Sequence, residues 1–183
     1  QELKIASNAP SLTLSGSGFD LDGSSNSISL NLGASAAVLS ATETSLTVSF
    51  TRPPTSLGAL TAVVTSFGGS SGVATEVATV VAPPVVSESA VVISVPSSSN
   101  SNSSPSPLLV IVSGSGFDPS SPQANSVTLS SGASGTVTAA TATELQVSLS
   151  TPPASAGPLR AVVTSFGGAS GAATGTQVAT VVL

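Results

Sequence analysis

The 183-residue chain contains no cysteine, histidine, methionine, tryptophan or tyrosine. Without imidazole or thiolate groups, Ser-His-Asp and Cys-His catalytic arrangements and the common zinc sites cannot be assembled. Only 6% of the residues are charged, against about 25% in an average soluble domain. The composition therefore predicts a protein that is not an enzyme and that needs no metal or other cofactor.

Positive charge and long apolar runs are also scarce. Lys4, Arg52 and Arg160 are the only cations, which is too few to neutralise a stretch of phosphates, so the sequence argues against a nucleic-acid partner. The longest apolar runs, residues 77–82 and 108–112, fall far below the roughly 18 residues that a membrane-spanning helix needs. We therefore expect no membrane insertion.

The chain repeats itself once. The segment from Leu12 to Asp20 recurs from Val110 to Asp118, and the segment from Ala62 to Gly69 recurs unchanged from Ala161 to Gly168. A period of about a hundred residues is too long for a solenoid and fits tandem small domains. We place the boundary at Pro83-Pro84, which predicts domains at residues 1–83 and 84–183.

Each repeat shows short apolar runs of period two, rich in β-branched residues and bounded by Gly, Pro, Asn, Asp or Ser. This pattern is typical of half-buried strands, and no amphipathic helical stripe is present. Some seven short antiparallel strands in such a repeat need two sheets packed face to face, which predicts an all-β protein of two β-sandwiches. In the first repeat we expect strands at residues 3–6, 11–15, 27–32, 36–40, 45–50, 59–66 and 76–81, with the second repeat shifted by about a hundred residues.

The motifs carry a family resemblance. The series LTLSGSGFD, NSISL, TETSLTVSF, a Pro-Pro pair and a closing VATVV resembles the IPT/TIG branch of immunoglobulin-like domains. That family is characterised by Gly-x-Gly-Phe after the second strand, a proline-containing turn before the penultimate strand and a valine-rich last strand. The resemblance covers both repeats and implies two tandem immunoglobulin-like antiparallel sandwiches. It implies little about function, because such domains occur in adhesins, receptors, transcription factors and surface proteins.

A Ser/Pro-rich insertion at residues 96–107 interrupts the second repeat, where the first has only residues 7–11. Such tracts cannot bury enough apolar surface to fold alone, and in secreted proteins they often carry glycans. Asn102 begins the only N-x-[ST] acceptor of the chain. The alternative is a plain flexible loop. The candidate glycosylation sites are Asn102, Ser97, Ser98, Ser99, Ser101, Ser103, Ser104 and Ser106.

Two further motifs have ordinary structural explanations. Asp20-Leu21-Asp22-Gly23 resembles part of a calcium loop, but the second repeat lacks the second carboxylate, so a polar turn is the better interpretation. The residues from Gly68 to Gly72 match the G-x-S-x-G spacing, yet a nucleophile elbow needs a helix and a histidine. We expect a Gly/Ser hairpin there, with the positive φ angles on the Gly-Gly pair.

The sequence is compatible with two classes of function and argues against a third. The favoured prediction is an extracellular structural subunit of a glycosylated fibre, wall or surface layer, which assembles with copies of itself because so few charges oppose edge pairing. The alternative is an adhesive or carbohydrate- or protein-binding module of a cell-surface protein. The third class, an enzyme, is disfavoured because the chain lacks nearly all the side chains that catalysis needs. The candidate assembly residues, in the first and last strands, are Leu3, Ile5, Val178, Val181 and Val182.

Overall fold

The computed structural model describes residues 3–95, 108–171 and 173–183. Over these residues the chain is nearly all β-structure, with several antiparallel sheets, which confirms the all-β part of the predicted fold class. The chain divides into two compact units, Gln1–Ala82 and Pro83–Leu183. Within the described part of the chain, none of the helical segments has the length and apolarity to cross a membrane.

The first unit consists of two sheets. One has the strand order β1-β8-β6-β3, with β7 paired to β6, and the other has the order β2-β5-β4. A 3₁₀ turn, Gly23–Ser25, precedes β3. The strands are β1 (Lys4–Ala6), β2 (Ser11–Ser15), β3 (Asn26–Leu30), β4 (Ser35–Ala41), β5 (Ser45–Arg52), β6 (Gly58–Ser66), β7 (Gly69–Ser70) and β8 (Thr75–Val81).

The second unit repeats this topology with one addition. Its sheets have the orders β10-β17-β15-β12, with β16 paired to β15, and β13-β14-β11-β9. The added strand is β9, which lies beside the end of β11. The strands are β9 (Val85–Val86), β10 (Val92–Ser94), β11 (Leu109–Ser115), β12 (Asn125–Leu129), β13 (Ser134–Ala140), β14 (Glu144–Thr151), β15 (Gly157–Ser165), β16 (Gly168–Ala169) and β17 (Thr176–Val182).

Each unit has its own apolar core, formed by the inward-facing residues of both of its sheets. In the first unit, Leu12 and Leu46 come from one sheet, and Leu60 and Val80 from the other. The corresponding core of the second unit also contains Phe117. Burial of side chains at every second position explains why the strands show period two in the sequence.

The structure differs from the predicted strand pattern in three ways. The first strand of each unit is parallel to the last one, since β1 pairs with β8 and β10 with β17. A parallel pair needs a long connection, and nearly a whole unit separates these strands. β10 begins at Val92, 88 residues after the start of β1 at Lys4, whereas the predicted shift of about a hundred residues would put it inside the Ser/Pro-rich insertion. The third strand ends at Leu30 because Leu32 has a positive φ of 53° in the following turn.

Candidate functional site

The hairpin between β6 and β7 presents an aromatic ring to solvent. Ser66 pairs with Gly69, so Phe67 and Gly68 form a two-residue turn. Both have positive φ, 51° and 75°, as a type I′ turn requires. The positive angles thus fall one residue earlier than the predicted Gly-Gly pair. Phe67 is 75% exposed, and a bulky residue in this backbone region is strained, which is more common at functional positions.

A polar network joins the loop after β2 to this hairpin. The backbone N–H of Asp20 donates to Asn26 Oδ1 (3.0 Å) and to Ser66 Oγ (2.9 Å). Asn26 Nδ2 donates to the carbonyl oxygens of Asp20 (2.8 Å) and Asp22 (3.0 Å). Because Asn26 is buried at the start of β3, these bonds fix the loop to the sheet. They bring Leu21, which is 67% exposed, to the same end of the unit as Phe67.

The two carboxylates of this loop shape its backbone. Asp20 Oδ1 accepts from the N–H of Asp22 (2.9 Å), and Asp22 Oδ1 accepts from the hydroxyl (2.8 Å) and the N–H (3.0 Å) of Ser24. Hydrogen bonds from the Ser24 hydroxyl and then from its N–H lower the pKa of Asp22 below its usual 3.8. The carboxylate of Asp22 is therefore ionised at neutral pH. We call Asp20, Leu21, Asp22 and Phe67 the loop-end surface.

The second unit retains the network without an exposed leucine or a fully exposed phenylalanine beside it. Asn125 Oδ1 accepts from the N–H of Asp118 (2.9 Å) and from Ser165 Oγ (3.0 Å), and its Nδ2 donates to the Asp118 carbonyl (2.8 Å). Pro119 stands where the first unit has Leu21. Phe166, in the corresponding turn, is half-buried and so less exposed than Phe67. The network is thus a shared structural feature, whereas the loop-end surface belongs to the first unit.

The second unit has a shallow cleft of about 720 Å³ between β12 and β13. Its lining includes Gln123, Asn125, Ser126, Thr136 and Thr138, and no aromatic or charged side chain. Amides and hydroxyls offer hydrogen bonds but neither a ring for stacking nor an electrostatic anchor. The loop-end surface combines an exposed ring with two carboxylates and is the stronger candidate for a binding site.

The motifs that resemble catalytic or metal sites form local turns. Asp20 and Asp22 bond to the backbone of their own loop, as expected for a polar turn. Ser70 lies in β7 and accepts from the N–H of Gly72 (3.1 Å), so it belongs to a hairpin. In the described residues, no group of three or more Asp or Glu side chains is placed to hold a metal ion.

The predicted assembly residues differ in how accessible they are to another chain. β1 is an edge strand, with Leu3 exposed just before it and Ile5 buried in the first core. β17 has β10 on one side and β15 on the other, so strand addition there would have to displace a neighbour. Val178 and Val181 are buried in the core of the second unit, and Val182 is exposed. A role in assembly remains a prediction for β1 alone.

The predicted glycosylation sites lie outside the described residues. All of them fall within residues 96–107: Asn102, Ser97, Ser98, Ser99, Ser101, Ser103, Ser104 and Ser106. Sequence reasoning did not single out Asn26 and Asn125. Both residues begin the same strand in the two repeats, and this recurrence could have identified them. An asparagine that begins a strand after a polar loop often bonds to that loop.

Comparison with known proteins adds little to the description of these surfaces. No protein-family model matches the chain, and no curated protein matches it. One solved structure similar to it is SGBP-B of the Bacteroides ovatus mixed-linkage glucan utilization locus, in complex with a mixed-linkage heptasaccharide. The alignment has a TM-score of 0.34 and 17% identity, and it covers 99% of this chain. The chain spans 43% of the length of that structure.

Proposed function

We propose that the chain is a non-enzymatic binding module of an extracellular or cell-surface protein, and that its loop-end surface contacts carbohydrate. The exposed ring of Phe67 carries this proposal. Phe166 has the same φ of 51°, so it is the 75% exposure of Phe67, and not its backbone conformation, that distinguishes this ring. An apolar ring can stack on the C–H face of a sugar, as aromatic anchors do in other binding sites.

The carboxylates of the loop that bonds to Ser66, the residue before Phe67, support the same partner class. In the described part of the chain, the hydrogen bonds of Asp20 and Asp22 use Oδ1. The second oxygen of each group is therefore available to accept from a sugar hydroxyl, and bonds to an ionised acceptor are stronger than neutral ones. Because the loop is tied to β3 by Asn26 and to β6 by Ser66, the acceptors are pre-organised, which lowers the entropic cost of binding.

For the finer fold, we infer two domains similar to the IPT/TIG type. The support is the Gly-x-Gly-Phe motif, which directly follows β2 at Gly16 to Phe19 and begins in the last two residues of β11 at Gly114 to Phe117, and the valine-rich last strand of each unit. A proline pair follows β5 in the first unit and the end of β14 in the second. Tandem modules of this kind suit an extended surface protein, which is consistent with a binding role.

A self-assembling, glycosylated structural subunit is the second candidate. Its support is the edge strand β1, the low charge of the chain and the exposed apolar side chains of Leu109 and Ile111 on β11. Few charges means little electrostatic opposition to edge pairing. Sedimentation of the purified chain over a wide concentration range tests this candidate. A strict monomer after enzymatic and chemical deglycosylation would contradict it.

The carbohydrate surface is tested with the variant Phe67→Asn on a glycan array. Asparagine is favoured in a type I′ turn, so the variant should unfold at the same or a higher temperature while lacking the ring. We expect the intact chain to retain at least one class of glycan, and the variant to bind it at least about tenfold more weakly. Phe166→Asn, the same change in the second unit, is the matched control and should keep full binding. An array without retained glycans, or equal binding by Phe67→Asn, would contradict the proposal.

A further inference from the structure

The cleft of the second unit lies between the edges of its two sheets. β12 is an edge strand of one sheet and β13 an edge strand of the other, and the cleft of about 720 Å³ runs between them. Small-molecule sites have volumes of about 300–1,000 Å³. Val127 and Val137 line the cleft and are half-buried against the core, whereas its polar side chains are exposed except for Asn125. The cleft thus has an apolar floor and a polar rim.

The rim offers polar groups that bond to nothing else in the described part of the chain. They are Gln123 Nε2, Ser126 Oγ and Thr136 Oγ1. The side chain of Gln123 is nonetheless held in place, because its Oε1 accepts from the Ser121 hydroxyl (2.6 Å), and its backbone N–H donates to the same hydroxyl oxygen (3.3 Å). Its Nε2 therefore provides two donor hydrogens at the end of a side chain that is already anchored.

The main chain of β12 adds a donor and an acceptor. Ser130 N–H donates to the carbonyl of Arg160 on β15 (2.9 Å). Bonded and non-bonded positions alternate in an antiparallel pair, so Ser126 and Thr128 also bond to β15. The N–H and the carbonyl of Val127, which lies between them, are therefore directed to the free edge of β12 and so to the cleft.

The shape of the β13 edge disfavours an extended peptide as the occupant. The register of β13 on β14 shifts twice, between Ser134 and Gly135 and between Val137 and Ala139. Such bulges twist an edge strand and interrupt the regular row of main-chain groups that an added strand needs. A ligand that bonds to separate donors and acceptors fits this cleft better than one that needs a continuous ladder.

The lining also favours a ligand without charge. It has no charged side chain, so an ionic ligand would lose its hydration without gaining a counter-ion. Hydroxyls and amides around an apolar floor match a molecule that has both many hydroxyl groups and exposed C–H faces. Neutral sugars have this combination.

We propose that the cleft between β12 and β13 is a second carbohydrate site, which binds a short neutral oligosaccharide. Sugar hydroxyls accept from Gln123 Nε2 and bond to the hydroxyls of Ser126 and Thr136, while a C–H face of the sugar lies on Val127 and Val137. Because the cleft has neither an aromatic ring nor an ionised group, we expect weak binding, with a Kd on the order of 1 mM. The site uses no residue of the loop-end surface, so it is independent of the binding proposed there.

The first unit provides a natural reference for this site. Its strands β3 and β4 correspond to β12 and β13. In place of Gln123, Thr136 and Thr138 it has Ser24, Ala37 and Leu39. The Ser24 hydroxyl is already used, since it donates to Asp22 Oδ1 (2.8 Å). The fold thus accepts smaller or apolar side chains at these positions, which makes the first-unit residues suitable substitutions for a test.

The test is an NMR titration of the ¹⁵N-labelled full chain with maltotriose, cellotriose, mannotriose and xylotriose, each up to about 20 mM. At least one of them should give saturable shifts of the Ser126, Val127 and Thr136 amide signals. The amides of Ile28 and Ala37, at the corresponding positions of the first unit, are the internal control and should not move. Trigalacturonic acid, an anionic trisaccharide, should give no saturable shift at the cleft. Saturation by none of the neutral sugars, or equal binding of the anionic one, would overturn the proposal.

Substitutions taken from the first unit test the assigned groups. The double variant Gln123→Ser/Thr136→Ala should bind the same trisaccharide at least about fivefold more weakly. It should unfold at nearly the original temperature, because both side chains are exposed. Thr128→Ala is the matched control, since it removes an exposed hydroxyl from β12 outside the cleft lining, and it should bind within about twofold of the original chain. Unchanged binding by the double variant would contradict the assignment of the cleft as the site.

Two further arms separate this site from its alternatives. Phe67→Asn should leave the cleft shifts unchanged. If a trisaccharide moves the signals of Asp22 and Phe67 but not those of the cleft, the carbohydrate surface of the first unit stands and the cleft proposal is wrong. The end-blocked peptide Val-Thr-Val-Thr-Val tests the other class of occupant. Saturable cleft shifts with this peptide and none with the sugars would identify an acceptor edge for a strand and would likewise refute the carbohydrate site.

Discussion

Asn26 and Asn125 organise the loop end of each unit at the scale of single residues. Each buried amide both accepts from and donates to the backbone of the loop after the second strand. A buried polar group left without its partner costs more than the bond itself contributed. The strength of these bonds can therefore be measured by comparing a buried with an exposed asparagine.

We expect Asn26→Ala to lower the free energy of unfolding of the first unit by about 2–3 kcal/mol, because the N–H and carbonyl of Asp20 lose a buried partner. Asn31→Ala is the matched control. Asn31 also bonds to two backbone groups, at Ala59 and Thr61, but it is exposed, so water replaces it and the loss should be near 1 kcal/mol. Urea unfolding followed by circular dichroism measures both. Equal losses would show that burial does not matter here.

The carboxyl of Asp22 gives a prediction about pH. Ser24 lowers its pKa in the folded chain, so the group contributes stability at pH above its unfolded pKa of 3.8, and this contribution is lost as the pH falls through the lower folded value. Carbon-detected NMR titration should give a midpoint below 3.8. Ser24→Ala should raise that midpoint, since the hydroxyl bond is the larger cause, while Ser25→Ala should not. A midpoint insensitive to Ser24→Ala would contradict this assignment.

At the scale of elements, β9 shows how a two-residue strand can complete a sheet. Only Val86 points into the core, whereas Val85 is exposed. In the full chain, Val86→Asp should therefore detach β9, expose Phe117 and lower the stability of the second unit by about 3 kcal/mol. Val85→Asp, on the solvent side of the same strand, should change it by less than about 0.5 kcal/mol.

Amide exchange at Ser115, which pairs with Val85 of β9, together with thermal unfolding, measures the state of β9. After Val86→Asp the Ser115 amide should exchange much faster than in the original chain, whereas the Gly114 amide, whose N–H is bonded to the Thr143 carbonyl, should change less. Protection of Ser115 that survives Val86→Asp would mean that the main-chain bonds of β9 suffice without its buried side chain.

The longer strands could be predicted from the sequence because their alternation is a direct record of which side chains are buried. The run LTVSF, for example, lies wholly within β5. Strands of two residues, such as β7 and β9, have no period to detect. The parallel pairing of β1 with β8 depends on residues far apart in the chain, so local pattern does not encode it.

The candidate site was harder to predict than the fold. Phe67 and Phe50 are the same residue type and cannot be told apart by hydrophobicity. Phe50 packs against the core of the first unit, whereas the side chain of Phe67, in the hairpin turn, is exposed. Likewise, Gly16 and Gly114 belong to identical motifs, but β9 lies against Gly114, and nothing in the motif itself predicts that contact. Both distinctions depend on tertiary contacts, which composition and spacing do not contain.

At the scale of the whole molecule, the chain has two separate cores and so two sources of stability. The core of the second unit includes the fully covered Phe117, whereas Phe19 is only partly buried. Because buried apolar area is the dominant favourable contribution to folding, the first unit should be the less stable one. Calorimetry of the intact chain should then show two transitions, with the first unit unfolding at the lower temperature.

Matched core substitutions assign these transitions. Leu60 and Leu159 occupy the same place in β6 and β15, and both are completely buried. Leu60→Ala should lower only the first transition and Leu159→Ala only the second, each by the equivalent of about 2–5 kcal/mol, since each creates a cavity in a different core. Residues in separate cores are expected to be additive, so the double variant should show both shifts unchanged. A single transition that moves with either substitution would mean that the two units unfold as one cooperative body.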